Sequence, residues 1–465
     1  MQRLPVWCGF VALFGTLGGG TAHGGGPTYH REVVRILREN CQDCHRPGQV
    51  APFALLTFDQ TRKRAADIAD VTKEGRMPPW HASTQEGGPF RDARVLGPDE
   101  IATLAAWVEA GCPEGDPADA PPAREFGSGW PLGEPDLVLK VPEAYPLGAE
   151  GRDESRVFVV PTGLTEGKWV AAVDFRPGNP RVVHHVLAAF DVTGRARALD
   201  EADPRAGYAV FGGFGLLPSG GLAGWAPGKR PRRFPEGIGR YLPAGSDVLL
   251  QVHYHKSGRP ETDATSIGLY FAKGPVDKLV RGGAVFPPRE RLRLRPNLLI
   301  PAGAAHHEVT GTWTVPYDAH LIAVAPHMHW LGRDFSLTAT RPGGSTSTLI
   351  RVDRWDFNWQ GTYDLSTPLA LPDGTRIDMR AHFDNSAANP SNPNVPPRDV
   401  GWGEQTTDEM CIAFLQLTRD DEHLGNGPPP RSARFANLED PEVRANLERL
   451  RGFRSGIQRL IKPDE

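Results

Sequence analysis

Beyond about residue 130 the chain is cut by glycine and proline into short runs rich in β-branched and aromatic residues. That pattern forbids long helices and favours strands joined by tight turns. The 53 glycines and 45 prolines supply the breaks. A chain of 465 residues buries several cores rather than one, with about three domains as the prior. The formal net charge of -4 leaves Lys and Arg scattered among acids, with no basic stripe for a phosphate backbone. Nucleic acid is therefore not an expected partner.

At the N-terminus, Arg3 precedes an apolar run from Leu4 to Leu17 and the small residues Gly20-Thr21-Ala22. This predicts a secretory signal over residues 1–22 and an exported protein, periplasmic or extracellular. The run is too short and glycine-rich for a membrane span, and no later segment offers 18 consecutive apolar residues, so membrane anchoring is not expected. The mature chain keeps Cys41, Cys44, Cys112 and Cys411.

Cys41-Gln42-Asp43-Cys44-His45 is a Cys-x-x-Cys-His pattern, in which two thiols attach haem c covalently and the histidine ligates its iron. Val33, Val34, Ile36 and Leu37 form one apolar helix face leading into it, and a second helix starts at Pro98-Asp99 with Ile101, Leu104, Ala105 and Val108 on one side. Between them Gly75-Arg76-Met77-Pro78-Pro79-Trp80 cannot continue a helix. Met77, a soft thioether, is the expected sixth ligand, with His81 as its rival. Residues 27–116 resemble a single-haem cytochrome c domain, and 117–130 read as a linker.

The remaining histidines concentrate in strand-like surroundings: Val183-His184-His185-Val186, Gln251-Val252-His253-Tyr254-His255, His306-His307 and Pro326-His327-Met328-His329-Trp330. Residues two apart on a strand share a face, so His327 and His329 can converge while Met328 turns away. His253 and His255 pair in the same way. The adjacent His184 and His185 can hold one ion only if the backbone bulges, which periodicity leaves open. Imidazoles suit copper, zinc or iron, and a thioether tilts the choice towards copper. His255, His306 and His307 read as ordinary strand histidines, with His255 a rival to His184. Gly213 and Gly215 lack the third glycine and helix that a dinucleotide loop needs.

His184-His185, His253 within Leu-Leu-Gln-Val-His-Tyr, His327-x-His329 followed by Leu331-Gly332-Arg333, and Asp408-Glu409-Met410-Cys411 occur in that order. Gly224-Trp225-Ala226-Pro227-Gly228 and His382-Phe383-Asp384-Asn385-Ser386 add to them. Over about residues 130–420 the chain resembles the copper type II, ascorbate-dependent monooxygenases, the family of peptidylglycine α-hydroxylating and dopamine β-monooxygenase. The resemblance implies two coppers. His184, His185 and His253 would hold an electron-storing ion, and His327, His329 and Met410 the ion at which dioxygen and substrate react. It also implies two jelly rolls, at residues 131–275 and 276–420, with a charged tail at 421–465. The expected fold is multidomain: an N-terminal all-α cytochrome c domain followed by two all-β jelly-roll sandwiches.

Two positions depart from the peptide-amidating branch, where an arginine and a tyrosine hold the substrate carboxylate. Their places fall on Ala325 and Phe414, so another small organic substrate is expected. Ala381 takes the place of a cysteine that the family pairs with the one at Cys411, so Cys411 and Cys112 are expected to be unpaired. The expected reductant is an external electron-donor protein, reaching the coppers through the haem, or an ascorbate-like molecule. Two other functions fit the residues: a haem c carrier or sensor on an idle β scaffold, and a periplasmic copper-binding protein.

Overall fold

The computed structural model describes residues 25–126, 129–210, 213–288, 296–403 and 405–430. The signal expected over residues 1–22 and the charged tail beyond residue 430 lie outside them. Among the described residues no helix is long and apolar enough to cross a membrane.

Two β-sandwiches dominate. In the first, one sheet runs Tyr208–Val210, Glu154–Pro161, Asp247–Tyr254, Val183–Asp191 and Gly220–Trp225 in spatial order. The other runs Lys278–Leu279, Ile238–Leu242, Lys168–Arg176, Ser266–Phe271 and Leu137–Lys140. Spatial neighbours are rarely consecutive in the chain, so the strands cross between sheets. Phe158, Val186, Val248, Leu250 and Val252 of one sheet meet Val170, Phe175, Leu242, Ile267 and Leu269 of the other in a single core. Strand Asp247–Tyr254 is central and almost wholly buried. Its alternate residues Leu249, Gln251 and His253 face away from that core, and Leu249 joins Val157, Val159 and Ala189 in a second cluster on the outer side.

The second sandwich packs Arg281–Val285, Cys411–Arg419, Ala319–Met328 and Tyr363–Leu371 against a five-stranded sheet. That sheet runs Ala82–Gly87, Thr346–Val352, Gly332–Thr340, Arg376–Phe383 and His307–Thr314. Val324, Met328, Cys411, Ala413 and Leu415 point into this core, with Phe335, Leu337, Ile350 and Met379 opposite. Their neighbours Ala325, His327, Ile412 and Phe414 therefore lie on the outer face.

An all-α cytochrome c domain does not precede the sandwiches. Among the described residues the molecule is mostly β-sheet, with five short α-helices and 12% helix. Residues 27–116 give four of these helices, none longer than the 12 residues of Pro98–Glu109. Val33, Val34, Ile36, Leu37, Leu104 and Trp107 share a small core. The stretch is also not self-contained, because Ala82–Gly87 pairs antiparallel with Thr346–Val352 and Phe90 bridges Leu365. Trp80 and Phe90 pack on Tyr363 at ring separations of 5.1 and 5.5 Å. An exposed sheet edge recruits a strand wherever backbone N–H and C=O groups are left unpaired, and this polar Ala-Ser-Thr-Gln-Glu-Gly segment fills that role.

Candidate metal centre

The outer faces of the two sandwiches confront each other across a cavity of about 500 Å³. Alternation along Val183–Asp191 and Asp247–Tyr254 puts His185 and His253 on that face, directly opposite each other in register. His184 would point into the core of a regular strand. Here the register slips: Val252 pairs with Val186 and His253 with His185, but Tyr254 pairs with Val183. His184 is the extra residue of this bulge, and the local twist swings it to the same side.

One ring nitrogen from each of His184, His185 and His253 lies within 4.8 Å of the other two. His185 Nδ1 is 3.2 Å from His184 Nδ1 and 3.4 Å from His253 Nδ1. Asp153 Oδ2 lies 3.2 Å from His253 Nε2, which fixes the proton there and leaves Nδ1 bare. Burial, then the proximity of His253, pushes His184 down to about 4 and His185 well below the ordinary imidazole value. Both are neutral at physiological pH, the form in which a metal can be held. His255 stands 6.3 Å from His184, ring to ring, outside the convergent trio.

Across the cavity the His327 and His329 rings are 5.2 Å apart and nearly perpendicular. His327 Nδ1–H donates to Gln360 Oε1, and His329 Nδ1–H donates to the Asp408 carbonyl at 3.0 Å. Both tethers leave Nε2 bare. Burial lowers His327 to about 3 and His329 to about 4. The register that pairs Met328 with Cys411 and His327 with Ile412 ends one residue short of His329 and Met410, whose backbone N–H groups both reach Glu409 Oε2. Met410 is 7% exposed and lines the same cavity.

Glu409 secures this corner. Its Oε2 accepts the backbone N–H groups of His329 at 2.8 Å and Met410 at 3.1 Å, and its Oε1 accepts that of Leu331 at 2.6 Å. Complete burial pushes its carboxyl up to about 8 despite those bonds. Phe357 joins the two histidine sets. It stacks on His184 at 5.4 Å and 22°, and meets His329 edge-on at 5.6 Å. Gln360 Nε2 holds the Phe357 carbonyl at 3.1 Å. Strand alternation carries no signal for Gln360 or Phe357, which sit in the irregular stretch 353–362, or for Asp153 just before its strand.

Ala325 and Phe414 are cross-strand partners and both line the cavity. Phe414 is 45% exposed. Cys112 and Cys411 are unpaired.

Cys41 ends helix Val34–Asn40, and the His45 N–H donates to the Cys41 carbonyl at 3.0 Å, closing a tight turn. Both thiols are free, and burial pushes Cys41 up to about 12 and raises Cys44. His45 Nδ1 is 3.2 Å from the Phe53 carbonyl, which leaves Nε2 bare. Met77 is half-buried after helix Ala65–Lys73, its N–H donating to the Val71 carbonyl at 3.2 Å. His81 faces the second sandwich, near Asp356 and against the Trp359 backbone.

Residues 293–420 match the copper type II ascorbate-dependent monooxygenase family, C-terminal domain. The matched region holds His327, His329 and Met410. The chain is 25% identical over 260 residues to DBH-like monooxygenase protein 2 of Mus musculus, covering 51% of this chain and 38% of that one. A putative DBH-like monooxygenase protein 2 of Homo sapiens is 25% identical over 259 residues, covering 51% and 47%. The chain thus spans less than half the length of these relatives. These likenesses support copper as the metal and monooxygenation as the class of chemistry. Among solved structures, the major capsid protein P2 of Bacteriophage PM2 aligns at a TM-score of 0.24 and 9% identity, over 61% of this chain and 96% of that one. A score so low carries no argument.

Proposed function

We propose that the chain is a copper-dependent monooxygenase that hydroxylates a small organic substrate with dioxygen. The observation that carries this reading is one cavity lined by two ligand sets of different chemistry, three imidazoles on one wall and two imidazoles with a thioether on the other. Copper bound at each set supplies one-electron chemistry and dioxygen activation.

The protein's part is positional. Asp153, Gln360 and the Asp408 carbonyl each hold the far nitrogen of a histidine, so the near nitrogen is aimed before any ion arrives. Glu409 holds Met410 and His329 to one corner. His184, His185 and His253 are assigned the electron-storing role, and His327, His329 and Met410 the substrate side. Leu187, Val210, Ile412 and Phe414 give the cavity apolar walls suited to a small organic molecule. Ala325 and Phe414 offer no cation to a peptide carboxylate.

Cys41, Cys44 and His45 are proposed to carry a covalent haem c, with Met77 as the sixth ligand. The two free thiols and the bare His45 Nε2 fit that group. Bound there, haem c supplies one-electron transfer from an external donor protein, beside or instead of ascorbate. Arg94 stands in the field of Cys44 and lies against Gly228. Trp225, three residues before that glycine, pairs with Val186 next to His185. A route from Cys44 through Arg94, Gly228 and Trp225 therefore leads towards the three-histidine wall. Export to the periplasm or cell exterior, where c-type haem resides, completes the proposal.

Oxygen uptake in the presence of phenethylamine-like, peptide and other small substrates tests the reading, with wild type beside Met410→Ala. Substrate-dependent uptake lost in the variant is expected. Uptake that Met410→Ala leaves unchanged would count against the assigned oxygen side. Metal analysis should find two coppers and one iron per chain, and an iron-free protein would remove the haem while leaving the oxygenase.

A further inference from the structure

A second cluster of histidines lies on the opposite side of the second sandwich. His307–Thr314, Arg376–Phe383 and Gly332–Thr340 are adjacent strands, and His382 is the direct partner of Glu308 on one side and Asp334 on the other. Cross-strand partners project to the same face. Val309, Phe335, Ala381 and Phe383 face the core, so Glu308, His382 and Asp334 face outward together. Asp334 Oδ1 is 2.6 Å from His382 Nδ1, and Glu308 Oε2 is 3.4 Å from His382 Nε2.

His306, exposed at the bend before its strand, stacks its ring on His382 at 4.0 Å and 26°. An ion-pair network alone would need only one imidazole between the two carboxylates. The second imidazole makes no hydrogen bond among the described residues, yet its ring lies over the first. Donor atoms of His306, Asp334 and His382 all lie within 4.8 Å of one another. A tetrahedral ion about 2.1 Å from each ligand needs donors about 3.4 Å apart, a spacing that small side-chain rotations provide.

We propose a third metal site, separate from the cavity, that binds one divalent transition cation of the zinc class through His306, Asp334 and His382, with Glu308 holding the far nitrogen of His382 and water in the fourth position. Two imidazoles and one carboxylate are a borderline, oxygen-containing set, which suits Zn²⁺ rather than the soft Cu(I) favoured by a thioether. None of the four residues lines the copper cavity. The ion would clamp two strands and the loop before His307 at one point of the outer face.

The test is equilibrium dialysis of the full-length, copper-loaded protein against Zn²⁺, followed by desalting and elemental analysis. Wild type is compared with His382→Ala, Asp334→Asn and His306→Ala. Each variant should retain one zinc fewer than wild type with copper unchanged, and zinc should raise the melting temperature of wild type alone. His306 is exposed and outside the strand, so that variant folds even if a strand substitution does not. Equal zinc in wild type and His306→Ala would overturn the site, as would zinc that wild type releases on desalting.

Discussion

The bond between His327 and Gln360 makes the sharpest prediction. Gln360→Leu keeps most of the side-chain volume but removes the oxygen that accepts the His327 Nδ1–H. Two effects follow. The His327 ring loses its preferred tautomer and orientation, and loss of such an outer partner lowers metal affinity roughly 10–100-fold, or about 1.4–2.7 kcal/mol. The buried Nδ1–H is also left without an acceptor, which costs about 1–3 kcal/mol of folding stability. Cu(I) titration against a chromophoric chelator should resolve two classes of site in wild type. In the variant only the class that depends on Met410 should weaken, with the three-histidine class unchanged within about twofold, since Asp153 tethers that set independently. Equal weakening of both classes, or none, would refute the argument that this hydrogen bond aims the His327 nitrogen.

Acid should destabilise the metal-free protein. His184 and His327 are lowered to about 4 and about 3 from 6.5, so below 6.5 the unfolded chain binds protons that the native state refuses, and stability is lost as the pH falls. At pH 5 each contributes about 2 kcal/mol of loss relative to pH 7, read by urea unfolding, and His327→Ala should show a shallower pH dependence than wild type. Glu409→Leu strips three buried N–H groups of their acceptor and should lower stability by roughly 3–6 kcal/mol, measured by thermal unfolding; a loss under about 1 kcal/mol would mean those groups find other partners. Phe357→Ala should open a gap between the histidine sets at a loss of about 3–5 kcal/mol, and the His184 environment should change in copper electron paramagnetic resonance spectra. A chain beginning at residue 130 should aggregate more readily than the full protein, because the Thr346–Val352 edge is bared; light scattering on the two forms decides it.

Different parts of the molecule were legible to different degrees. Alternation suffices to separate His327 and His329 from Met328, because a strand has only two faces. It cannot place His184, whose direction depends on a bulge that no residue type announces. The tethers Gln360 and Asp153 stand in irregular backbone where periodicity has no meaning. The N-terminal stretch misleads for a different reason. Its apolar helix faces are real, but they are read locally, whereas the fate of Ala82–Gly87 is set by an unpaired edge some 270 residues away. Short polar segments carry little intrinsic preference, so the tertiary partner decides.

That borrowed strand has a consequence for how the molecule comes into being. On the ribosome the segment at 82–87 emerges long before Thr346–Val352 is made, and for that interval it has no partner. The sheet it completes can close only after nearly the whole polypeptide has left the exit tunnel, and contacts so distant in sequence form slowly. The head and the second sandwich are therefore bound to mature together, and the last sandwich to be translated depends on the first part of the chain to be finished.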